Sequence, residues 1–161
     1  TCILAPLSIP LPFSPVPISL TNLVIFISVF ILGMKDATIS FLIYLLLGTV
    51  GLPVFSSFRA GLSVLAGPTG GYLIGFIFLA LIQGFAMKYF DRKLIPTIIG
   101  MLIGMAVCYI FGTVWLAKLM SLSFKEGLFM GVIPYLPGDA VKIIIAVIVG
   151  PKLYAATKKV R

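Results

Sequence analysis

Asp139 and Lys142 stand three residues apart at the start of a long apolar run, a spacing that puts both on one face of a helix. A carboxylate only accepts hydrogen bonds and an ammonium only donates them. Side by side, they match a neutral polar ring that carries both N–H and C=O groups. Two plainer uses compete with that reading. Asp139 just ahead of a helix suits an N-cap, where it would bond free N–H groups and complement the positive helix end for ~1 kcal/mol. The two charges can also simply satisfy each other. Lys142 argues for more, because a cation in the first turn opposes the helix dipole and, near hydrocarbon, needs a partner or a route to water.

Little else in the chain could do chemistry. There are 4 acids and no histidine, which removes the usual near-neutral acid/base and the usual metal ligand. No serine lies in a nucleophile-elbow pattern, no metal-ligand spacing occurs, and no phosphate-cradling Gly-x-x-x-x-Gly-Lys-Ser/Thr run is present. Neither an enzyme nor a resident cofactor is expected. Cys2 and Cys108 are far apart, the second deep in an apolar run, so no structural disulfide is expected.

The surroundings of the pair are apolar throughout. The chain is 61% hydrophobic and 10% charged. From Leu94 to Ala117 it carries no charge, longer than the ~20 residues needed to cross ~30 Å of hydrocarbon. Continuous apolar runs, rather than alternating ones, exclude a membrane β-barrel. Residues 1–161 therefore read as one transmembrane domain, an all-α integral membrane bundle. The net charge of +8 reads as anchoring by Lys and Arg. The basic groups lack the aromatic and glycine interleaving of an RNA-binding strand, so no nucleic-acid partner is expected.

The elements that must position the pair follow from breakers and charges. Thr1–Ser8 reads as the end of a helix that the presented chain enters partway, with no signal peptide ahead of it. Ile9–Pro17 holds four prolines and predicts an extended, rigid loop. Helices are expected over about Ile18–Leu32, Ala37–Leu47 (capped by Asp36), Gly71–Phe90, Leu94–Met120, and from Pro137-Gly138-Asp139 to about Thr157, where Pro151 could kink the last. Ser121–Tyr135 reads as a short amphipathic interfacial segment. Gly48–Gly71 is broken by glycines and prolines and holds one charge, Arg59. Such backbone at membrane depth must be buried in protein or line a cavity, so it predicts a folded, partly re-entrant loop lining a site, with a plain external loop as the alternative. Gly71 and Gly75, Ala80 and Gly84, Gly100 and Gly104, and Cys108 and Gly112 form small-residue stripes that read as seams within the bundle. Gln83 is expected to hydrogen-bond a neighbouring helix.

With six spans and both termini inside, inner segments hold Lys35, Lys88, Arg92, Lys93, Lys152, Lys158, Lys159 and Arg161, and the outer side only Arg59, Lys118, Lys125 and Lys142. That bias agrees with the positive-inside rule. It places the proline loop, the glycine loop and the Asp139 end of the last helix together on the outer face.

Four segments, in order, carry a resemblance to a known family: Ile9-Pro10-Leu11-Pro12-Phe13-Ser14-Pro15-Val16-Pro17-Ile18, Gly51-Leu52-Pro53-Val54-Phe55, Gly67-Pro68-Thr69-Gly70-Gly71-Tyr72-Leu73-Ile74-Gly75-Phe76, and Pro134-Tyr135-Leu136-Pro137-Gly138-Asp139-Ala140-Val141-Lys142. The chain resembles the BioY family, the biotin-binding substrate-specificity subunits (S-components) of energy-coupling factor (ECF) transporters. The resemblance implies a six-transmembrane-helix bundle of the S-component type, with structured outer loops lining a biotin site near the outer face of the bacterial cytoplasmic membrane. It implies an energising module of one transmembrane coupling protein and two ATPase subunits as partner, besides membrane lipid. Asp139 and Lys142 would contact the biotin head group, and Tyr135, Phe55, Gly67, Thr69, Gly70, Gly71, Tyr72 and Phe13 would surround the ligand. Arg59 is the candidate for its carboxylate. Two departures stand out. The family's small-residue seam on the first helix has no counterpart beyond Ala5, and Ser56-Ser57-Phe58-Arg59-Ala60 is bulkier than the family's glycine-rich pattern there. The alternatives are an S-component for another small vitamin and a structural membrane subunit without a ligand.

Overall fold

The computed structural model describes residues 1–12 and 14–159. Thr1–Ser8, expected as the end of a helix, is instead a turn in which Leu4 and Ala5 donate to the Thr1 carbonyl at 3.1 and 2.9 Å. Strand β1 (Ser8–Leu11) follows and pairs antiparallel with β2 (Ser14–Ser19). The proline segment is thus extended, as its sequence requires, but paired rather than a lone loop. Ser8 faces Ser19 and Ile9 faces Ile18, with an irregularity at Pro10. A two-stranded ribbon consists only of edges, a sheet setting in which prolines are tolerated.

Because Ile18 and Ser19 belong to β2, the first helix, α1, begins at Thr21 rather than Ile18 and ends at Leu32. Gly33, at φ +84°, turns the chain in a single residue. Helix α2 (Met34–Val50) therefore starts three residues earlier than expected, and Asp36 lies in its first turn instead of capping it. Gly51, at φ +116°, ends α2. The glycine segment is folded: Phe55 and Arg59 bridge across a 3-10 turn (Ser56–Phe58), the short helix α3 spans Leu62–Ala66, and the Gly61 amide donates to the Gly48 carbonyl at 2.7 Å. Helices α4 (Gly70–Tyr89) and α5 (Leu94–Met120) match the expected ranges. Helix α6 (Phe124–Gly131) is amphipathic and opens with a capping box between Ser123 and Glu126. Helix α7 (Leu136–Lys158) runs through Pro151.

The stripes Gly71/Gly75, Gly100/Gly104 and Cys108/Gly112 are seams between α4 and α5, whereas Gly84 faces Met34 of α2. A Cβ added at Gly75 would stand 2.8 Å from Cys108 Cα, and one at Gly104 would stand 3.0 Å from Leu79 Cα, so only glycine permits this approach. Phe26 and Val29 of α1, Phe41 and Tyr44 of α2, Leu79 and Ala80 of α4, Met101 of α5 and Ala146 of α7 build the core. Gln83 is fully buried and donates from α4 to the Phe26 carbonyl of α1 at 3.1 Å. Gly70–Tyr89, Leu94–Met120 and Phe124–Lys158 are long and apolar enough to cross a membrane, with mean hydropathies of 1.8, 2.3 and 1.9. Outward on α5 stand Leu102, Ile103, Ile110 and Phe111, all exposed, a surface suited to lipid and costly in water.

Candidate functional site

Helix α7 starts one residue before Pro137, so Asp139 falls inside its first turn and is not an N-cap. Its side chain is thereby free to turn sideways, toward Lys142 one helical turn on. Lys142 Nζ lies 2.8 Å from Asp139 Oδ1, and each side chain is 10% exposed. Two other helices complete the cluster. Asn22, in the first turn of α1, donates from Nδ2 to Asp139 Oδ1 at 2.7 Å and accepts from Lys142 at 3.1 Å and from the Leu23 amide at 3.1 Å. Tyr109 of α5 donates to Asp139 Oδ2. Lys142 also donates to the Ser19 carbonyl at the end of β2, at 2.7 Å.

Each proton of the ammonium thus has an acceptor, and both carboxylate oxygens have donors. Full satisfaction is what makes a buried ion pair tolerable, since removing one partner costs ~3–5 kcal/mol. The cluster also ties α1, α5, α7 and the hairpin together at one end of the bundle. Tyr135 reinforces that end: its hydroxyl donates to the Val16 carbonyl and meets the Ser14 hydroxyl at 2.8 Å. Tyr72 donates to the Gly131 carbonyl at 3.0 Å, and the Trp115 indole to the Gly67 carbonyl at 2.9 Å. Ser8 and Ser57 hydroxyls meet at 2.9 Å, linking the hairpin to the glycine segment. The three unusual segments of the sequence therefore converge.

Between them lies a cavity. The polar cluster closes one part of it, and Tyr72, Phe76, Met105, Tyr109 and Tyr135 supply its walls. Counting its open mouth and the solvent in it, the space between the lining atoms is about 570 Å³. The centre of a water-sized sphere, however, has only about 60 Å³ to occupy. The site is broad in outline but nearly shut by side chains. An apolar chamber with a few fixed polar groups at one end suits a small ligand with a polar head and an apolar body.

Of the residues expected at a site, Asp139, Lys142, Tyr135, Thr69 and Tyr72 line this cavity. Phe55 does not: its ring is buried over Gly48 and packs edge-on against Tyr44 at 5.5 Å. Gly67, Gly70 and Gly71 are not in the lining either. Gly67 receives Trp115, while a side chain on Gly70 would strike the Leu65 carbonyl and one on Gly71 would strike Trp115. They permit close packing of the wall from behind. Arg59 is exposed, outside the lining, and bonds the carbonyl of Ser56, which does line it, at 3.3 Å. Phe13 lies outside the described residues. Sequence reasoning missed Asn22 and Tyr109. Asn22 is the only asparagine in the chain and sits at the start of an apolar helix, which was its available signal. Tyr109 had none beyond a phenol within an uncharged run.

Comparison with known proteins gives consistent results. A match to the BioY family extends over residues 1–159. The chain is 36% identical to the biotin transporter BioY of Rhizobium etli, over 92% of this chain and 82% of that one. It is 33% identical to the biotin transporter BioY of Thermotoga maritima, over 90% and 85%. The crystal structure of an S-component for biotin from an ECF-type ABC transporter superposes with a TM-score of 0.86 at 32% identity, covering 94% of this chain and 83% of that one.

Proposed function

The chain belongs to the BioY family, and from that premise we propose that it captures biotin as the substrate-specificity subunit of an ECF-type transporter. The observation that carries the reading is the satisfied Asp139–Lys142–Asn22–Tyr109 cluster facing a narrow, aromatic-walled cavity. The ureido ring of biotin carries N–H and C=O groups at one end of an apolar bicycle. In this pose an N–H donates to Asp139 and the C=O accepts from Lys142, with Tyr72, Phe76 and Tyr135 around the rings. The valerate tail then leaves past Ser56, where Arg59 is the nearest candidate for its carboxylate.

Uptake against a gradient needs energy, and no residue set in this chain is suited to hydrolysing ATP. We assign that step to an energising module of one membrane coupling protein and two ATPase subunits. The positive-inside bias supports a bacterial cytoplasmic membrane orientation with the C-terminal end of α7 inside and the cavity toward the outer face. The expected inner placement of the start of the chain does not hold, because the Pro6 carbonyl and the Ser8 hydroxyl bond Ser57 at the cavity end. Titration of the purified protein with biotin, followed by fluorescence of Trp115 and by calorimetry, tests the reading. A saturable one-to-one response that lipoate, a sulfur-ring acid without a ureido group, does not give is expected. Absence of any response to biotin, with the fold intact, overturns it.

A further inference from the structure

A second concavity lies at the opposite end of the bundle from the biotin cavity. Helix α1 carries Asn22 at one end and Leu32 at the other, and α4 likewise carries Tyr72 and Lys88. The concavity is lined by Lys35 and Asp36 at the start of α2, Lys88 at the end of α4, and Asp91 and Arg92 in the α4–α5 turn. Gly84 makes this arrangement possible, because a Cβ there would stand 2.6 Å from Met34 Cα. Its absence lets the head of α2 sit on α4. The space is open and holds the centres of water-sized spheres over about 550 Å³.

The charges are the unusual feature. The chain has 4 acids in all; Asp139 is spent in the cluster and Glu126 in its capping box. The remaining two, Asp36 and Asp91, both line this one concavity, alongside three cations. Among the described residues neither acid has a cation within 4.0 Å; that separation is met only by Lys142 with Asp139. Both signs thus face the same space without cancelling. Next to it, sharing Leu32, runs an apolar groove along Ile31, Leu153 and Ala156 that ends at Lys158. Arg92 stands at the junction. Its Nη1 donates to the Phe30 carbonyl at 2.6 Å, and its guanidinium lies 3.8 Å from the centroid of Tyr154, a groove residue. Among the described residues its other guanidinium donors make no hydrogen bond.

We propose that this end binds one phospholipid with a zwitterionic, primary-amine headgroup, phosphatidylethanolamine. Its phosphate is held by Arg92, Lys35 and Lys88, its ammonium by Asp36 and Asp91, and an acyl chain lies in the groove beside Leu153. Paired carboxylates single out the ammonium: they accept its N–H bonds, whereas a trimethylammonium offers none and an uncharged glycerol headgroup offers no cation. A purely anionic lipid would leave both acids facing its phosphate with no counterion.

Delipidated full-length protein, re-supplied with dioleoyl lipids of a single headgroup, is examined by native mass spectrometry. Phosphatidylethanolamine should be retained at least about tenfold better than phosphatidylcholine or phosphatidylglycerol, the scale of a charge-assisted hydrogen bond. On the unaltered protein, retention should fall stepwise through the monomethyl and dimethyl ethanolamine lipids. In Asp36→Asn/Asp91→Asn the preference over phosphatidylcholine should vanish, while Arg92→Gln should weaken every headgroup. Biotin binding, at the other end, reports folding in each variant. Equal retention of all headgroups, a preference that survives the double Asn change, or a site filled by a protein segment with no lipid selectivity would overturn the proposal.

Discussion

Both oxygens of Asp139 are engaged before a ligand arrives: Oδ1 by Lys142 and Asn22, Oδ2 by Tyr109. In the proposed pose a ureido N–H would share these acceptors or displace the Tyr109 hydroxyl, and its bond would be made to a carboxylate already held in place. Asp139→Asn keeps the shape but turns one acceptor into a donor, facing Lys142 and Tyr109 as well as the ligand. A charge-assisted hydrogen bond contributes ~1.5–3 kcal/mol, and biotin affinity should fall at least about tenfold by calorimetry; unchanged affinity in a folded variant removes Asp139 from the site. Lys142 separates by a double change. If it only neutralises Asp139, Lys142→Met should destabilise, and Asp139→Asn/Lys142→Met should restore both stability and binding. If it donates to the head group, the double variant recovers stability alone, because the ligand carbonyl stays unpaired in a desolvated pocket. The latter outcome is expected. Arg59, tied to Ser56 at the cavity wall, is proposed for the other end of the ligand. Discrimination between biotin and its methyl ester should shrink in Arg59→Ala and persist in Lys142→Met; the reverse would mean the ligand lies inverted. Asp139 and Lys142 were legible in the sequence because charges near hydrocarbon stand out. Asn22 and Tyr109 were not, because they reach Asp139 across 117 and 30 residues of chain and only the fold brings them there.

Between Gly51 and Gly71 the chain makes its own small structure, tied to the rest by the Gly61–Gly48, Ser57–Pro6, Ser8–Ser57 and Trp115–Gly67 hydrogen bonds and by the buried Phe55 ring against Tyr44. Ser57 and Phe58 sit at φ +61° and +56°, a region costing non-glycine residues ~1 kcal/mol or more. A segment held by few bonds and carrying strain opens more readily than a helix. The nearly shut cavity requires something to give before a vitamin can pass. We expect this segment to serve as the lid and to gain protection when biotin binds. Hydrogen exchange with and without biotin measures it, and equal protection of residues 51–71 in both states would exclude the role. At this scale α5 was legible at both ends and α4 to within one residue at each end, because charges and glycine stripes mark their ends and faces. The hairpin was legible only as extended chain. Proline content reports φ but says nothing about which strand lies alongside, and the Ser8–Ser19 register depends on Ser14 and Val16 being drawn in toward Tyr135.

The molecule as a whole has two unlike ends. One gathers the cavity, the hairpin and the glycine segment, and Lys142 there is neutralised by Asp139, leaving, among the described residues, Arg59, Lys118 and Lys125 as its cations outside an ion pair. The other carries Lys35, Lys88, Arg92, Lys93, Lys152, Lys158 and Lys159, of which Lys35, Lys88 and Arg92 share a concavity with a pair of carboxylates. Positively charged ends are retained on the cytoplasmic side during insertion, so the asymmetry favours the cavity opening outward. The sequence count already indicated this side. What it lacked was the knowledge that the Lys142 charge is cancelled, which sharpens the bias. Lys125 on α6 and Lys88 at the end of α4 are both exposed and belong to opposite ends. In a Cys2→Ser/Cys108→Ala background that still binds biotin, Lys125→Cys should react with a membrane-impermeant maleimide on intact cells. Lys88→Cys should react only after the membrane is permeabilised. The opposite labelling would turn the protein over, placing the biotin cavity toward the cytoplasm, where a subunit that captures the vitamin from outside could not use it.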